Sequence, residues 1–294
     1  MSQLEYHHVD VFAPRPFSGN SLTVFLGAGS LLGSQMLTIT QEMRHFESIF
    51  LSPAGEPNTF EAQVFDLTGE LDFAGHPLLG AAGVLHSCLN ARDEAVWTFQ
   101  LRARTVKVIT ERIGKGFRAL LDQGPPEFLG EVPLTRREEF AAALNLEADQ
   151  LSRDLPLEVV STGLQYLIVP IEEGLEQARI VRTDFEGLLR TVSAQFAYVL
   201  DVRKLEGRHW NNDGVMEDIA TGSGAGTVGA FLTKHGRITA GDEFILRQGR
   251  FLGRPSEIRV RSEGTRAEIT RVQVGGDVAL VGRGTLDVVP EVQE

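Results

Sequence analysis

The chain has 294 residues, 23% of them charged and 42% hydrophobic, and a formal net charge of −12. These are ordinary globular proportions that exclude wholesale disorder, and the length suits one large domain or two medium ones. The acidic balance argues against a nucleic-acid binder, since clustered Lys and Arg supply phosphate affinity, and against adhesion to an anionic membrane.

In chain order, Met1-Ser2-Gln3-Leu4-Glu5 shows no basic or apolar leader region. Strand-like runs follow at 6–12 and 22–26, and an amphipathic helix is expected over 35–43. After a strand at 60–67 comes a helix crowded with small residues, 77–89, opened by Pro77. In the strand at 95–101, Trp97, Phe99 and Leu101 alternate with Thr98 and Gln100, the period of a half-buried strand. Thr135 with Glu138 forms a capping-box pattern for a helix running through Leu144. Strands at 159–161 and 166–169 precede a second small-residue helix, 221–235. The last runs, 243–246, 258–260, 269–274 and 278–281, are separated by glycines and charges, as in antiparallel hairpins. No run reaches the ~20 apolar residues of a spanning helix, and the single Cys88 can form no intrachain disulfide. A cytoplasmic α+β protein is expected.

Gly80-Ala81-Ala82-Gly83-Val84-Leu85 and Gly226-Thr227-Val228-Gly229-Ala230-Phe231 share a pattern about half a chain apart. That points to two halves built alike, 1–124 and 125–294, divided at Gly124-Pro125-Pro126, with the last strand able to pack back on the first half. Each helix glycine costs up to roughly 1 kcal/mol relative to Ala, so close approach by neighbouring backbone is expected there.

Chemistry is expected at the two helix entries, Asp72-Phe73-Ala74-Gly75-His76-Pro77 and Glu217-Asp218-Ile219-Ala220-Thr221-Gly222-Ser223. Free N–H groups and the positive dipole end make each start an anion site. Facing each other, the two would suit a small carboxylate. His76 reads either as an acid, base or donor, or as a residue that merely hydrogen-bonds a helix start. Asp218 reads as a functional carboxylate or as a cap. Glu47 sits among Phe46, Ile49 and Phe50, either turned outward into water or held in a low-dielectric pocket suited to proton transfer. Gly224-Ala225-Gly226-Thr227-Val228-Gly229 matches a dinucleotide fingerprint in letters, but what precedes it is polar and turn-like, not a buried strand. Thr221 stands where a nucleophile elbow at Ser223 needs glycine. No His, Cys or carboxylate set has metal-ligand spacing, and one cysteine cannot make a thiol pair.

The sequence resembles the phenazine-biosynthesis PhzF-like family, which has the diaminopimelate-epimerase fold. The resemblance is carried by Val9-Asp10-Val11-Phe12 with Phe17-Ser18-Gly19-Asn20, Glu47-Ser48-Ile49-Phe50, and Phe73-Ala74-Gly75-His76-Pro77. It continues with the stretch from Glu217 to Ser223, Gln248-Gly249, Gly253-Arg254-Pro255-Ser256 and Val274-Gly275-Gly276. It implies two pseudo-symmetric domains, each a curved, barrel-like, mostly antiparallel sheet around a central helix. It implies a homodimeric, cofactor-independent, metal-free proton-shift isomerase of a small carboxylate or amino acid, like trans-2,3-dihydro-3-hydroxyanthranilate isomerase. On the matching positions Glu47 would be the acid/base, His76 and Asp218 would position and polarise substrate, and Gly75, Gly222 and Ser223 would bind it. Ser21, Ser48, Ile219, Gly224 and Trp210-Asn211-Asn212 depart from the family pattern and bear on the substrate. Two alternatives stay open: an epimerase or racemase using Glu47 and Asp218 on opposite faces, and a non-catalytic binding protein on the same fold.

Overall fold

Alternating burial along the strands and two almost wholly buried helices organise the chain. The computed structural model describes residues 3–13, 15–90, 92–102 and 104–291; Met1 and Ser2, in the stretch read for a leader, lie outside them. The chain divides into two units, Met1–Asp122 with Gly275–Glu294, and Gln123–Val274.

The first unit contains β1 (Leu4–Val11), β2 (Asn20–Leu26), β3 (Glu47–Pro53), β4 (Thr59–Asp66), β5 (Glu70–Leu71), β6 (Glu94–Gln100), β7 (Thr105–Ile113) and β8 (Gly116–Gly124). It also takes the later part of the last strand, β16 (Ile269–Leu286), with helices α1 (Gly33–Met43) and α2 (Gly75–Leu89). Strand order is β1-β2-β3-β4-β6-β7-β8-β16. β16 then pairs with β1, from Leu4 opposite Leu286 to Val11 opposite Val278, so the sheet closes on itself. Closure removes the exposed edges that an open sheet must protect. α2 packs against β1, β2, β3, β6 and β7, and every residue from His76 to His86 is buried, as expected of a helix that is apolar all round. Gly80 explains the fit: a methyl there would lie 3.0 Å from Val11 Cγ2 and 3.2 Å from Val9 Cγ2. α1 covers the outside of the sheet over Phe25, Phe50 and Phe65, where the Phe25 and Phe50 rings stack at 4.6 Å.

The second unit contains β9 (Glu127–Glu131), β10 (Glu158–Ser161), β11 (Gln165–Ile171), β12 (Phe196–Asp201), β13 (Glu206–His209), β14 (Glu243–Gln248) and β15 (Ser256–Gly264), with helices α3 (Arg137–Ala143), α4 (Phe185–Arg190) and α5 (Gly222–Lys234). Its strands follow in the order β15-β14-β13-β12-β11-β10-β9. α5 is the counterpart of α2, buried over most of its length and packed on β10, β11 and β15. In each unit most pairs are antiparallel, and the parallel ones are bridged by helices. β2 and β3 flank α1, β4 and β6 flank α2, β11 and β12 flank α4, and β13 and β14 flank α5, because a parallel pair needs a crossover. The fold is thus α+β, each unit a curved sheet around one glycine-rich helix.

Several elements differ from expectation. Thr135 does not open a helix: residues Leu134–Arg136 form a 3-10 turn, α3 begins at Arg137, and its N-cap Arg136 makes no side-chain capping bond. The runs 269–274 and 278–281 are one strand. Gly275 inside it is required by close approach, since a Cβ there would overlap the Ala119 carbonyl and lie 3.0 Å from Leu120 Cδ1; it marks packing, not a turn. α2 begins two residues earlier than expected, with Pro77 still in the first turn, where a missing N–H costs nothing. The strands β5, β7, β8, β9, β12 and β13 and the helix α4 were not anticipated.

Candidate active site

In the first unit, the chain leaves α1 through Arg44, a left-handed C-cap at φ 59°, and turns into β3 with Glu47 as its first residue, opposite Asp66 of β4. Neighbouring Ser48 is locked to Thr23 of β2 by a buried hydroxyl pair at 2.7 Å, which fixes the strand's register at the Glu47 end. Glu47 Oε2 is shielded from solvent and lies 3.4 Å from His76 Nδ1; the two side chains are 20% and 8% exposed. Gly75, His76 and Pro77 are the first residues of α2, whose N-cap Ala74 offers no side-chain acceptor. The first-turn N–H groups fall outside the helix's own ladder.

His86, near the other end of α2, has a structural task. Its Nε2 donates to Arg92 O at 2.8 Å, since a carbonyl only accepts. Its Nδ1 shares a hydrogen bond with Thr110 Oγ1, at 2.8 Å, which itself receives the Trp97 indole N–H.

In the second unit, residues 217–221 form the entry to α5 and are held from several sides. Arg208 grips Glu217 with a two-pronged ion pair at 2.7 and 2.8 Å, and its Nη1 donates to the carbonyls of Leu175, Glu176 and Ala178. Asp218 N donates to His209 O at 2.9 Å. Thr221 Oγ1 lies 2.6 Å from Asp218 Oδ2. Gln248, at the end of β14, reaches into the loop with both ends of its amide, and Gly249 lets β14 approach. With φ 79° it is left-handed, and a Cβ there would lie 2.6 Å from Ile219 O. Ser223, second residue of α5, shares a hydrogen bond with the Tyr166 hydroxyl at 2.8 Å.

Tyr166, Phe196 and His209 form an aromatic cluster beside this loop, with ring centroids 5.4 to 5.5 Å apart. His209 Nδ1 donates to Ala197 O at 2.9 Å. Burial pushes its pKa below the ordinary histidine value, against the opposing influence of the Asp218 charge and that hydrogen bond. Burial, with the Asp218 charge second, raises the Tyr198 phenol well above its usual range.

The structure brings Glu47, His76 and Gly75 together in the first unit, and Asp218, Gly222 and Ser223 together in the second. Sequence reading assigned no role to Tyr166, Tyr198, His209 or Gln248. Gln248 lay in a quoted motif; Tyr166 was only a strand residue, and nothing local signals a hydroxyl that meets Ser223 from 57 residues away. The fingerprint from Gly224 to Gly229 lies inside α5, so its glycines serve packing: a methyl at Gly224 would sit 2.8 Å from Tyr198 Cδ2. Among the described residues no group of three or more His, Cys, Asp or Glu could hold a metal, and no helix is long and apolar enough to cross a membrane.

The chain is an isomerase built on two sheet-wrapped helices with polar side chains gathered at their starts. The comparisons agree. A structure of a predicted epimerase from Pseudomonas aeruginosa superposes with a TM-score of 0.90 at 44% identity, over 98% of this chain and all of that one. A hydroxyproline epimerase from Agrobacterium vitis shares the fold at 13% identity, TM-score 0.64, over 97% of this chain and 91% of that one. Trans-2,3-dihydro-3-hydroxyanthranilate isomerase of Pseudomonas chlororaphis is 30% identical over 295 residues, covering 95% of this chain and 99% of its own. The family model described as phenazine biosynthesis-like protein, PhzC-PhzF, matches residues 9–284, and the chain belongs to that family.

Proposed function

We propose that the protein is a cofactor-independent isomerase that shifts a proton between carbons of a small carboxylate or amino-acid-like substrate. Glu47 takes the proton from an activated carbon and returns it to a neighbouring position. His76 steadies Glu47 and the developing charge, and Asp218 positions and polarises the substrate. Gly75, Gly222 and Ser223 bind it through helix-start N–H groups and a hydroxyl. The observation that carries this reading is the Glu47–His76 contact at 3.4 Å, with the carboxylate oxygen shielded from water. A base reused on one face needs neither metal nor thiol pair, and general acid/base transfer contributes roughly 10²–10⁴-fold. Orientation and charge stabilisation supply the rest. The family resemblance adds a homodimer, which sedimentation at several concentrations would test; the cytoplasmic setting rests on the single Cys88, which fits a reducing compartment.

The test starts from trans-2,3-dihydro-3-hydroxyanthranilate, named for the Pseudomonas relative, and a panel of small amino acids, each incubated in deuterated water and read by mass spectrometry. Wild type is expected to incorporate solvent deuterium, and Glu47→Gln to lose about 10²–10⁴-fold of that rate with its fold intact. Near-wild-type exchange in Glu47→Gln would refute the assignment. The epimerase-named neighbour supports a second reading, in which Glu47 and Asp218 serve opposite faces of one carbon; deuterium entering with inversion at that carbon would favour it.

A further inference from the structure

We propose that Thr221 and Gln248 are positioning residues: together they aim the Thr221 hydroxyl at Asp218 Oδ2 and fix Asp218 as a hydrogen-bond acceptor, a group that holds and polarises substrate and does not hand over a proton.

The direction of every bond in this network follows from the atoms that cannot change role. Gln248 Nε2 lies 2.9 Å from Asp218 O, and a carbonyl only accepts, so that end of the amide is the nitrogen. Thr221 N lies 3.1 Å from Gln248 Oε1, and a backbone N–H only donates, so this end is the oxygen. The two assignments agree. A flipped amide would set its NH2 against an N–H and its oxygen against a carbonyl, stranding buried polar groups at a cost of about 1–3 kcal/mol each.

Tyr198 fixes the amide a third time. Its hydroxyl donates to Gln248 Oε1 at 2.9 Å, and burial, which raises the phenol's pKa, keeps that proton in place. Gln248 Nε2 then spends its second hydrogen on Thr221 Oγ1, at 3.0 Å. Because Thr221 Oγ1 receives there, its own single hydrogen is free to donate. Asp218 Oδ2 stands 2.6 Å away, the distance of a strong O–H···O⁻ bond. Ala220 N donates to the other oxygen, Oδ1, at 3.3 Å. Both carboxylate oxygens thus receive a donor from the loop itself.

Among the described residues, Tyr198 from β12 and His209 from β13 feel the Asp218 charge, and Tyr166 of β11 and Glu206 of β13 act on Tyr198. Within the loop, Glu217 is committed to Arg208.

This inference deepens the proposed function by assigning Asp218 to binding and polarisation, which separates a one-base isomerase from a two-base epimerase. The test uses the full chain with Thr221→Val, which keeps shape and loses the hydroxyl, and Thr221→Ser, which restores it. With trans-2,3-dihydro-3-hydroxyanthranilate as probe, Thr221→Val is expected to lose about ten-fold in kcat, the worth of one hydrogen bond to a charged group, with KM within about two-fold. Thr221→Ser should recover the rate. In parallel, carbon-13 NMR of Asp-labelled protein reads the Asp218 carboxyl chemical shift without any substrate. That shift should move in Thr221→Val, which loses the hydroxyl bond, and return in Thr221→Ser. An unmoved carboxyl resonance and unchanged kcat in Thr221→Val, or no recovery in Thr221→Ser, would overturn the proposal. If wild type leaves the probe untouched, the choice of substrate fails, and the NMR arm alone still decides the role of Thr221.

Discussion

Replacing Arg208 by Met tests how firmly the entry to α5 is held. The guanidinium makes five of the bonds that define the loop: two to the Glu217 carboxylate and three to the carbonyls of Leu175, Glu176 and Ala178. Its side chain is 10% exposed and that of Glu217 9%, so the pair is shielded from salt and water. Met matches the stem and can still pack on Trp210 and Phe251, whose rings lie 4.7 and 4.5 Å from the guanidinium carbon. What is lost is the charge and its fork, and what is left is a buried carboxylate without its cation. Removing one member of such a pair costs about 3–5 kcal/mol. In a folding unit of this size, where 1 kcal/mol moves Tm by roughly 2–4 °C, the expected loss is on the order of 6–20 °C. Thermal unfolding read by far-UV circular dichroism would measure it, and urea unfolding read by tryptophan fluorescence would give the free energy. The double variant Arg208→Met with Glu217→Gln should recover at least about 1 kcal/mol, because it removes the stranded charge. A loss below about 1 kcal/mol in the single variant, or a double variant no more stable than the single, would refute the reasoning.

Two further outcomes are expected. Glu158 is buried beneath the C-terminal end of α5, where Lys234 and His235 bond it; burial alone would raise its pKa, but those two partners hold it below the ordinary carboxylate value. A lowered folded-state pKa means its stabilisation is complete near neutrality and fades as pH falls through that value, so Tm curves of wild type and Glu158→Gln should lie well apart at pH 7 and converge below about pH 4; parallel curves would contradict this. Gly83→Ala should destabilise despite the gain in helix propensity. Its methyl would lie 2.8 Å from Val278 Cγ1 and 3.1 Å from Val278 Cβ, and overpacking of about 1–3 kcal/mol exceeds the ~1 kcal/mol regained. Calorimetry showing Gly83→Ala above wild type, or no relief on adding Val278→Ala, would count against the packing account.

The sequence made the two central helices legible because their glycines break helix propensity for a reason that repeats. Gly80, Gly83, Gly226 and Gly229 each have a neighbour where a methyl would have to sit. The grouping of Glu47 with His76 could not be read the same way: β3 and α2 are separate elements, and only the register of β3 beside β2 and β4 brings that carboxylate to the helix start. Strands β12 and β13 went unread because their side chains are buried almost throughout, which erases the alternation that marked β6. The 3-10 turn at Leu134–Arg136 shows the opposite error, a local capping signal that the chain does not use.

Thr221 carries the most instructive of these departures. As N-cap of α5 it would ordinarily accept a hydrogen bond from the first turn, a contact worth about 0.5–2 kcal/mol, yet it makes no side-chain cap. Its hydroxyl oxygen accepts from Gln248 Nε2 instead, while its hydrogen goes to Asp218. Ala74, the N-cap of α2, makes none either. Both helix starts that carry candidate site residues thus forgo the usual side-chain cap, and their first-turn N–H groups are not claimed by the residue best placed to claim them. Forgoing a cap lowers the stability of each helix start, whereas first-turn N–H groups left in this way are suited to an anion. The diverted hydroxyl does two things at once: it leaves the helix start uncapped, and it orients the carboxylate beside it.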